Sequence, residues 1–167
     1  MKKLISIIFI IAVFAAGIFL YLRNADVDVN YERFNMVAPG ILRTPVERFN
    51  NIVDYPFKEN YLIIGDTRIH YLDEGPKDGE IIYLLHGEPA WSYLFRKMIP
   101  ILTRAGYRVI APDMVGFGKS DKYVSIKDYS HQMHVDKMTQ LIVELDLNNV
   151  TAHVHDWGGL VGLRVIA

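Results

Sequence analysis

The sequence predicts an α/β fold: a mostly parallel sheet, preceded by an antiparallel hairpin, with helices in the crossovers. Three observations carry this. Ile81-Ile-Tyr-Leu-Leu85, Tyr107-Arg-Val-Ile-Ala111 and Val150-Thr-Ala-His-Val154 are short, largely apolar runs of strand length, the pattern of strands buried on both faces. Helical segments separate them, from about Ser92 to Arg104 and from Lys127 to Leu145, where Val135, Met138, Leu141, Ile142 and Leu145 recur at helical spacing. Upstream, Tyr61–Ile64 and Thr67–Leu72 flank a Gly65-Asp66 turn and read as a hairpin. Strand, helix, strand, helix, strand, helix is the rhythm of parallel crossovers.

The first element is an apolar run. From Leu4 to Leu22, 19 residues carry only Ser6 and the Tyr21 hydroxyl as polar side-chain groups. A run of about 20 residues, rising about 1.5 Å each, spans a hydrocarbon core of about 30 Å. Residues 1–23 are therefore expected to form an N-terminal membrane anchor. A cleaved signal sequence is the rival, with Lys2-Lys3 as its charged start. Its apolar stretch is typically about 7–15 residues, whereas here Ala15-Ala16-Gly17 is followed by more apolar chain. Lys2 and Lys3 precede the run, so the positive-inside tendency puts the body on the non-cytoplasmic side, periplasmic or extracellular.

Residues 24–60 read as a loop-like extension punctuated by Pro39-Gly40, Pro45 and Pro56. Residues 61–167 hold the predicted sheet. Its third helix, opening at Gly158-Gly159, is still in progress at Ala167. A sheet abandoned there leaves its last strand as an open edge, so a fragment is expected.

Charge and composition narrow the function classes. The chain has 18 basic and 19 acidic groups among 167 residues, a net charge of −1. Residues 1–23 hold three of the basic groups and no acid, which leaves the body at 15 against 19. That balance argues against nucleic acid as a partner, because phosphate binding needs a basic surplus. Cysteine is absent, which removes thiolate metal sites and cysteine nucleophiles. His131 and His134, three apart on a predicted helix, have no evident third ligand and are expected on a solvated helix face, with no metal. His153 and His155 on one strand face get the same reading. Gly118-Lys119-Ser120 echoes a phosphate loop, but position 113 is Asp where that motif needs Gly.

The chemistry-bearing segment is Val154-His155-Asp156-Trp157-Gly158-Gly159. It joins a buried strand to a helix through small residues, the context of a nucleophile elbow, with Asp156 as the raised side chain. With an ordinary pKa of about 3.9, an Asp is ionised at neutral pH and can attack carbon to form an ester. Asp156 as a plain helix N-cap is the alternative, and both readings stand at this point. Leu84-Leu85-His86-Gly87-Glu88-Pro89 follows an earlier strand, where a loop can offer one backbone N–H to an oxyanion. The Trp157 N–H would give the second donor, and losing one such donor typically costs about 10²–10³ in rate.

Together these segments resemble the α/β-hydrolase superfamily and, within it, the haloalkane dehalogenases. The similarity runs from about Ile41 to Leu163 through Arg43-Thr44-Pro45, Asp54-Tyr55-Pro56, His70-Tyr71-Leu-Asp73-Glu74-Gly75-Pro76, the stretch from His86 to Pro100, Val109-Ile-Ala-Pro-Asp113, Gly116-Phe-Gly-Lys-Ser-Asp121 and Asp156-Trp-Gly-Gly159. Glu-Pro-Ala-Trp-Ser-Tyr at 88–93 is the narrowest of these and is similar to the dehalogenase branch with Glu after His-Gly.

The resemblance implies an α/β-hydrolase fold and roles for three residues. Asp156 would be the catalytic nucleophile, displacing halide to give an alkyl-enzyme ester. Trp157 would aim its indole N–H at the leaving halide, and the Glu88 and Trp157 backbone N–H groups would hold the oxyanion. The Glu88 side chain would sit near the halide and the hydrolytic water. The implied partner is a small-molecule substrate, the implied assembly a monomer, and no metal or organic cofactor is required. The family's histidine base, its acid partner and the cap with its second halide ligand lie beyond the elbow and have no counterpart here. An epoxide hydrolase is the nearest rival, because that group also carries His-Asp-Trp-Gly-Gly, matching 155–159. A non-catalytic, hydrolase-like membrane protein is the third reading.

Overall fold

The structure, a computed structural model, describes residues 35–167. The apolar run at residues 4–22 lies outside them. Among the described residues no helix is long and apolar enough to cross a membrane.

Alternation along the strands organises the body. Strands β3 (Asn60–Ile64), β4 (Thr67–Glu74), β5 (Ile81–Leu85), β6 (Arg108–Pro112) and β8 (Thr151–Val154) form one sheet in the order β3-β4-β6-β5-β8. Successive side chains of a strand point to opposite faces. Tyr83 and Leu85 of β5 and Ile110 of β6 therefore enter one buried cluster with Ile64, Ile69 and Leu141. Leu84 of β5, with Val109 and Ala111 of β6, enters the other with Leu72, Phe95 and Ile99. Helix α2 (His131–Glu144) and helix α3 (Trp157–Val165) supply Val135, Met138, Leu141 and Val161 to the first cluster. Helix α1 (Ile99–Arg104) supplies Ile99 to the second.

Each fully buried side chain of this size contributes about 1.5–3 kcal/mol. That decides what holds α1, whose 6 residues are far below the roughly 12–15 at which an isolated helix becomes even marginal. Packing makes the helix.

Three expectations need adjusting. The stretch Ser92–Arg104 is not one helix: a 3-10 turn at Ser92–Phe95 is followed by α1 from Ile99. Pro100 sits in the first turn of α1, where its missing N–H costs nothing, whereas further inside a helix it would remove a hydrogen bond. The helix expected from Lys127 begins instead at His131, because Ser130 caps it by accepting from the Met133 N–H at 3.0 Å. The sheet is parallel at β5–β6 and β5–β8 but antiparallel at β3–β4 and β4–β6, so the described part is evenly mixed.

The extension is not merely loop. Strands β1 (Met36–Ala38) and β2 (Ile41–Leu42) join β7 (Lys122–Tyr123) in a second, three-stranded sheet. Arg43 adds a bidentate pair, donating to both Asp121 carboxylate oxygens at 2.8 and 2.9 Å. Pairings two residues long leave no periodicity to read in the sequence.

Candidate active site

The register of the parallel strands sets the site. Leu85 of β5 lies opposite Val154 of β8, so both strands end level and their loops leave from the same edge. The His155 N–H extends the ladder by one bond, donating to the Leu85 carbonyl at 3.1 Å. Asp156 then turns the chain at φ 54, ψ −126 and caps α3. A non-glycine residue held there costs about 1–3 kcal/mol, which surrounding structure must impose.

Two glycines impose it. A side-chain carbon on Gly158 would stand 2.3 Å from the Leu85 carbonyl oxygen and 2.4 Å from that of His86. Only glycine lets the first turn of α3 press against the end of β5. A carbon on Gly87 would stand 2.4 Å from Asp156 Cβ and 2.7 Å from Asp156 Oδ2. The backbone of the 86–88 loop thus lies directly against the carboxylate.

Within that cradle the two oxygens of Asp156 differ. Oδ2 accepts the Trp157 N–H at 2.6 Å, next to Gly87. Oδ1 makes no side-chain hydrogen bond to another described residue. The cap and the strand-to-helix turn are therefore one arrangement: the backbone holds Oδ2, and Oδ1 is left unengaged. Asp156 and Glu88 are exposed, and Trp157 is 44% exposed.

The histidines sort by contacts. The His86 ring is buried; its Nε2 accepts the Met114 N–H at 3.0 Å, so Nδ1–H donates to the Gly87 carbonyl at 3.0 Å. Burial holds its pKa below the ordinary histidine value, against the opposing pull of Asp113 and the Gly87 carbonyl. His70 is buried too, with Nδ1 at 2.9 Å from Asp113 Oδ2. His153 and His155 are exposed, as expected. None of the six histidines hydrogen-bonds to Asp156.

His134 corrects an expectation. It does not lie on a solvated face but lines a pocket of about 430 Å³ beside the elbow, with Glu88, Phe117, Tyr129 and Trp157. Its Nδ1 is buried without a partner among the described residues. His131 is exposed, with Nε2 at 3.1 Å from the Leu160 carbonyl oxygen. Among the described residues no group of three or more potential ligands is gathered for a metal. Lys119 is buried against Glu59 rather than exposed on a phosphate loop.

Burial, with the charges of His86 and His131 nearby, pushes the His134 pKa down to about 4. In the unfolded chain it sits at about 6.5, so on acidification the unfolded state takes up a proton that the folded state refuses. The stability contributed by neutral His134 is present above about pH 6.5 and is lost as the pH falls towards 4. Urea midpoints should therefore fall across that window, and less steeply in His134→Asn. Parallel slopes in the two proteins would remove His134 from the account.

Against known proteins, the family described as alpha/beta hydrolase fold matches residues 80–167. A haloalkane dehalogenase of Psychrobacter cryohalolentis is 58% identical over 132 residues, covering 76% of this chain and 44% of the relative. One from Mycolicibacterium paratuberculosis is 57% identical over the same shares. The chain thus spans less than half the length of these curated relatives. Among solved structures, a tetrameric haloalkane dehalogenase from Paraglaciecola agarilytica aligns with a TM-score of 0.71 at 49% identity, covering 74% of this chain and 43% of that one. An epoxide hydrolase from Vigna radiata aligns at 0.61 and 30% identity, covering 65% of this chain and 35% of that one.

Proposed function

Because the chain belongs to the alpha/beta hydrolase fold family, we propose that the protein is a hydrolase of the haloalkane dehalogenase type, with Asp156 as nucleophile. The observation that carries this is the split carboxylate, Oδ2 held by the Trp157 N–H and Oδ1 unengaged. Oδ1 attacks the carbon bearing the halogen from the side opposite the halide. The carbon–halogen bond breaks, its electron pair leaves with the halide, and an alkyl ester of Asp156 remains. The Trp157 indole N–H donates to the leaving halide, and the Glu88 side chain lies near the halide and the hydrolytic water.

Water then adds to Asp156 Cγ. Charge moves onto Oδ2, where the backbone N–H groups of Trp157 and Glu88 stabilise it. Collapse breaks the Cγ–Oδ1 bond, so the alcohol leaves with Oδ1 and the oxygen of water stays on the carboxylate. The balance is haloalkane plus water to alcohol, halide and a proton. A general base must take that proton, and none of the histidines here is bonded to Asp156.

Two similarities favour a halide over an epoxide oxygen as leaving group. The dehalogenases match at 57–58% identity, against 30% for the epoxide hydrolase. The protein made from its complete coding sequence is expected to release halide from short bromo- and chloroalkanes. Turnover of epoxides without halide release would replace this reading with the epoxide hydrolase.

The apolar run at 4–22 is proposed to anchor this body to a membrane, on its non-cytoplasmic side. Its support is length and composition, 19 residues with Ser6 and the Tyr21 hydroxyl as the only polar side-chain groups. The protein should stay with membranes after alkaline carbonate extraction and be open to protease from the non-cytoplasmic side. A soluble product starting near Asp26 would show a cleaved signal instead.

A further inference from the structure

The loop that carries Glu88 is fastened at both ends by two consecutive residues at the exit of β6. At its start, the Met114 N–H donates to His86 Nε2 at 3.0 Å. At its end, the Ser92 N–H donates to Asp113 Oδ1 at 2.7 Å. Within the loop the Gly87 carbonyl accepts both the Ala90 N–H at 2.9 Å and the His86 Nδ1–H at 3.0 Å.

Asp113 is itself immobilised. It is fully buried, and its other oxygen, Oδ2, faces His70 Nδ1 at 2.9 Å and accepts the Lys119 N–H at 2.8 Å. Gly118, at φ 45, leaves room for this, because a side-chain carbon there would stand 2.3 Å from Oδ2. The Asp113 carbonyl accepts the Ser120 hydroxyl at 2.6 Å, while the Ser120 oxygen accepts the His70 N–H at 2.8 Å. A buried carboxylate with this many partners is costly to assemble and rigid once assembled. None of these contacts involves Asp156.

We propose that Asp113 is a positioning residue for the reaction, clasping the 86–92 loop so that the Glu88 backbone N–H is aimed at Asp156 Oδ2. This rests on the dehalogenase reading above. Its consequence is selective. The Glu88 N–H matters most when charge is on Oδ2, which is during hydrolysis of the ester and not during its formation. Loosening the clasp should slow the second step and spare the first.

The test compares Asp113→Asn with the parent, both made from the complete coding sequence, using a bromoalkane in rapid-quench and steady-state assays. Asn has one acceptor oxygen where Oδ1 and Oδ2 accept the Ser92 and Lys119 N–H groups, so the clasp loses its charge and one of its two backbone bonds. The expected result is a full burst of about one bromide per enzyme, followed by turnover at least about tenfold slower. The KM should fall with kcat, and the mass of the alkyl-enzyme ester should accumulate. Amides of residues 87–92 should exchange hydrogen faster than in the parent, with 81–85 unchanged. Tyr55→Phe removes the Tyr55–Ser92 side-chain hydrogen bond of 2.6 Å but leaves the clasp, and should behave as the parent.

A variant with parental kinetics, or one that loses the burst together with the steady rate, overturns the proposal. So does Tyr55→Phe matching Asp113→Asn. Should Asp113→Asn not fold, His86→Gln opens the other end of the loop and is held to the same burst-and-slow signature. A parent that releases no halide sinks the dehalogenase reading, and the exchange of 87–92 then decides the clasp by itself.

Discussion

Asp156→Ala should lower halide release by the complete protein about 10⁴-fold or more, the scale seen when a nucleophile is removed from a hydrolase. The reason is chemical rather than steric. Without the carboxylate no alkyl ester can form, and the Trp157 and Glu88 N–H groups have no oxyanion to stabilise. The effect should be separable from stability. Alanine at 156 gives up the N-cap bond to the Trp157 N–H, which costs about 0.5–2 kcal/mol, and it still has to hold φ 54. A denaturation midpoint measured beside the rate should therefore move modestly while the rate collapses. Mass spectrometry gives the complementary readout. The parent incubated with a bromoalkane should show an adduct on the peptide containing Asp156, and the variant should show none. Halide release persisting in Asp156→Ala within tenfold of the parent would mean another nucleophile.

Residues 1–167 expressed alone should release at most one bromide per chain and then stop. Alkylation needs Oδ1 and a place for the halide, both of which these residues can offer. Hydrolysis needs a general base within about 2.6–3.2 Å of the attacking water. His70 is bound to Asp113 in the core, and His86 has both ring nitrogens engaged with backbone. His131 contacts the Leu160 carbonyl, and His134 lies in its pocket with its pKa pushed down to about 4. Exposed Leu160 and Leu163 on α3, and a β8 that pairs only with β5 among the described residues, predict poor solubility as well. Bromide followed against time, per mole of chain, checks the stoichiometry. Sustained release would place a working base within residues 1–167 and change the roles assigned above.

Much of this was legible in the residues themselves. The apolar runs at 81–85 and 150–154 are seen as β5 and β8 to within one residue, and 107–111 as β6 shifted by one. Burial on both faces leaves β5 and β6 few polar positions, and that signature survives in one dimension, whereas β8, expected to be buried likewise, has Thr151 and His153 exposed. The hairpin at 61–72 was legible from its turn, and the elbow from strand, Asp and glycines in sequence. Less was legible where a segment's structure depends on distant partners. The β1–β2–β7 sheet joins residues some 80 positions apart through pairings of two residues. His134 looked like a surface histidine because its helical spacing is shared with His131, and only the approach of Phe117 and Tyr129 encloses it.

The sequence by itself therefore determined the kind of fold: strand lengths, the strand-to-helix turn, an aspartate in that turn, and a His-Gly-Glu loop after an earlier strand. Those follow from local rules, because apolar periodicity and turn chemistry act over a few neighbours. Tertiary structure alone decided which oxygen of Asp156 is held and which is left unengaged, since that depends on Gly87 fitting against Asp156 and Gly158 against the end of β5. It also decided that Asp113, far from Asp156 in the chain and without an evident role in the sequence, closes both ends of the Glu88 loop together with Met114. Hydrogen bonds between loops are set by the register of the strands beneath them, and register appears only once the sheet is assembled.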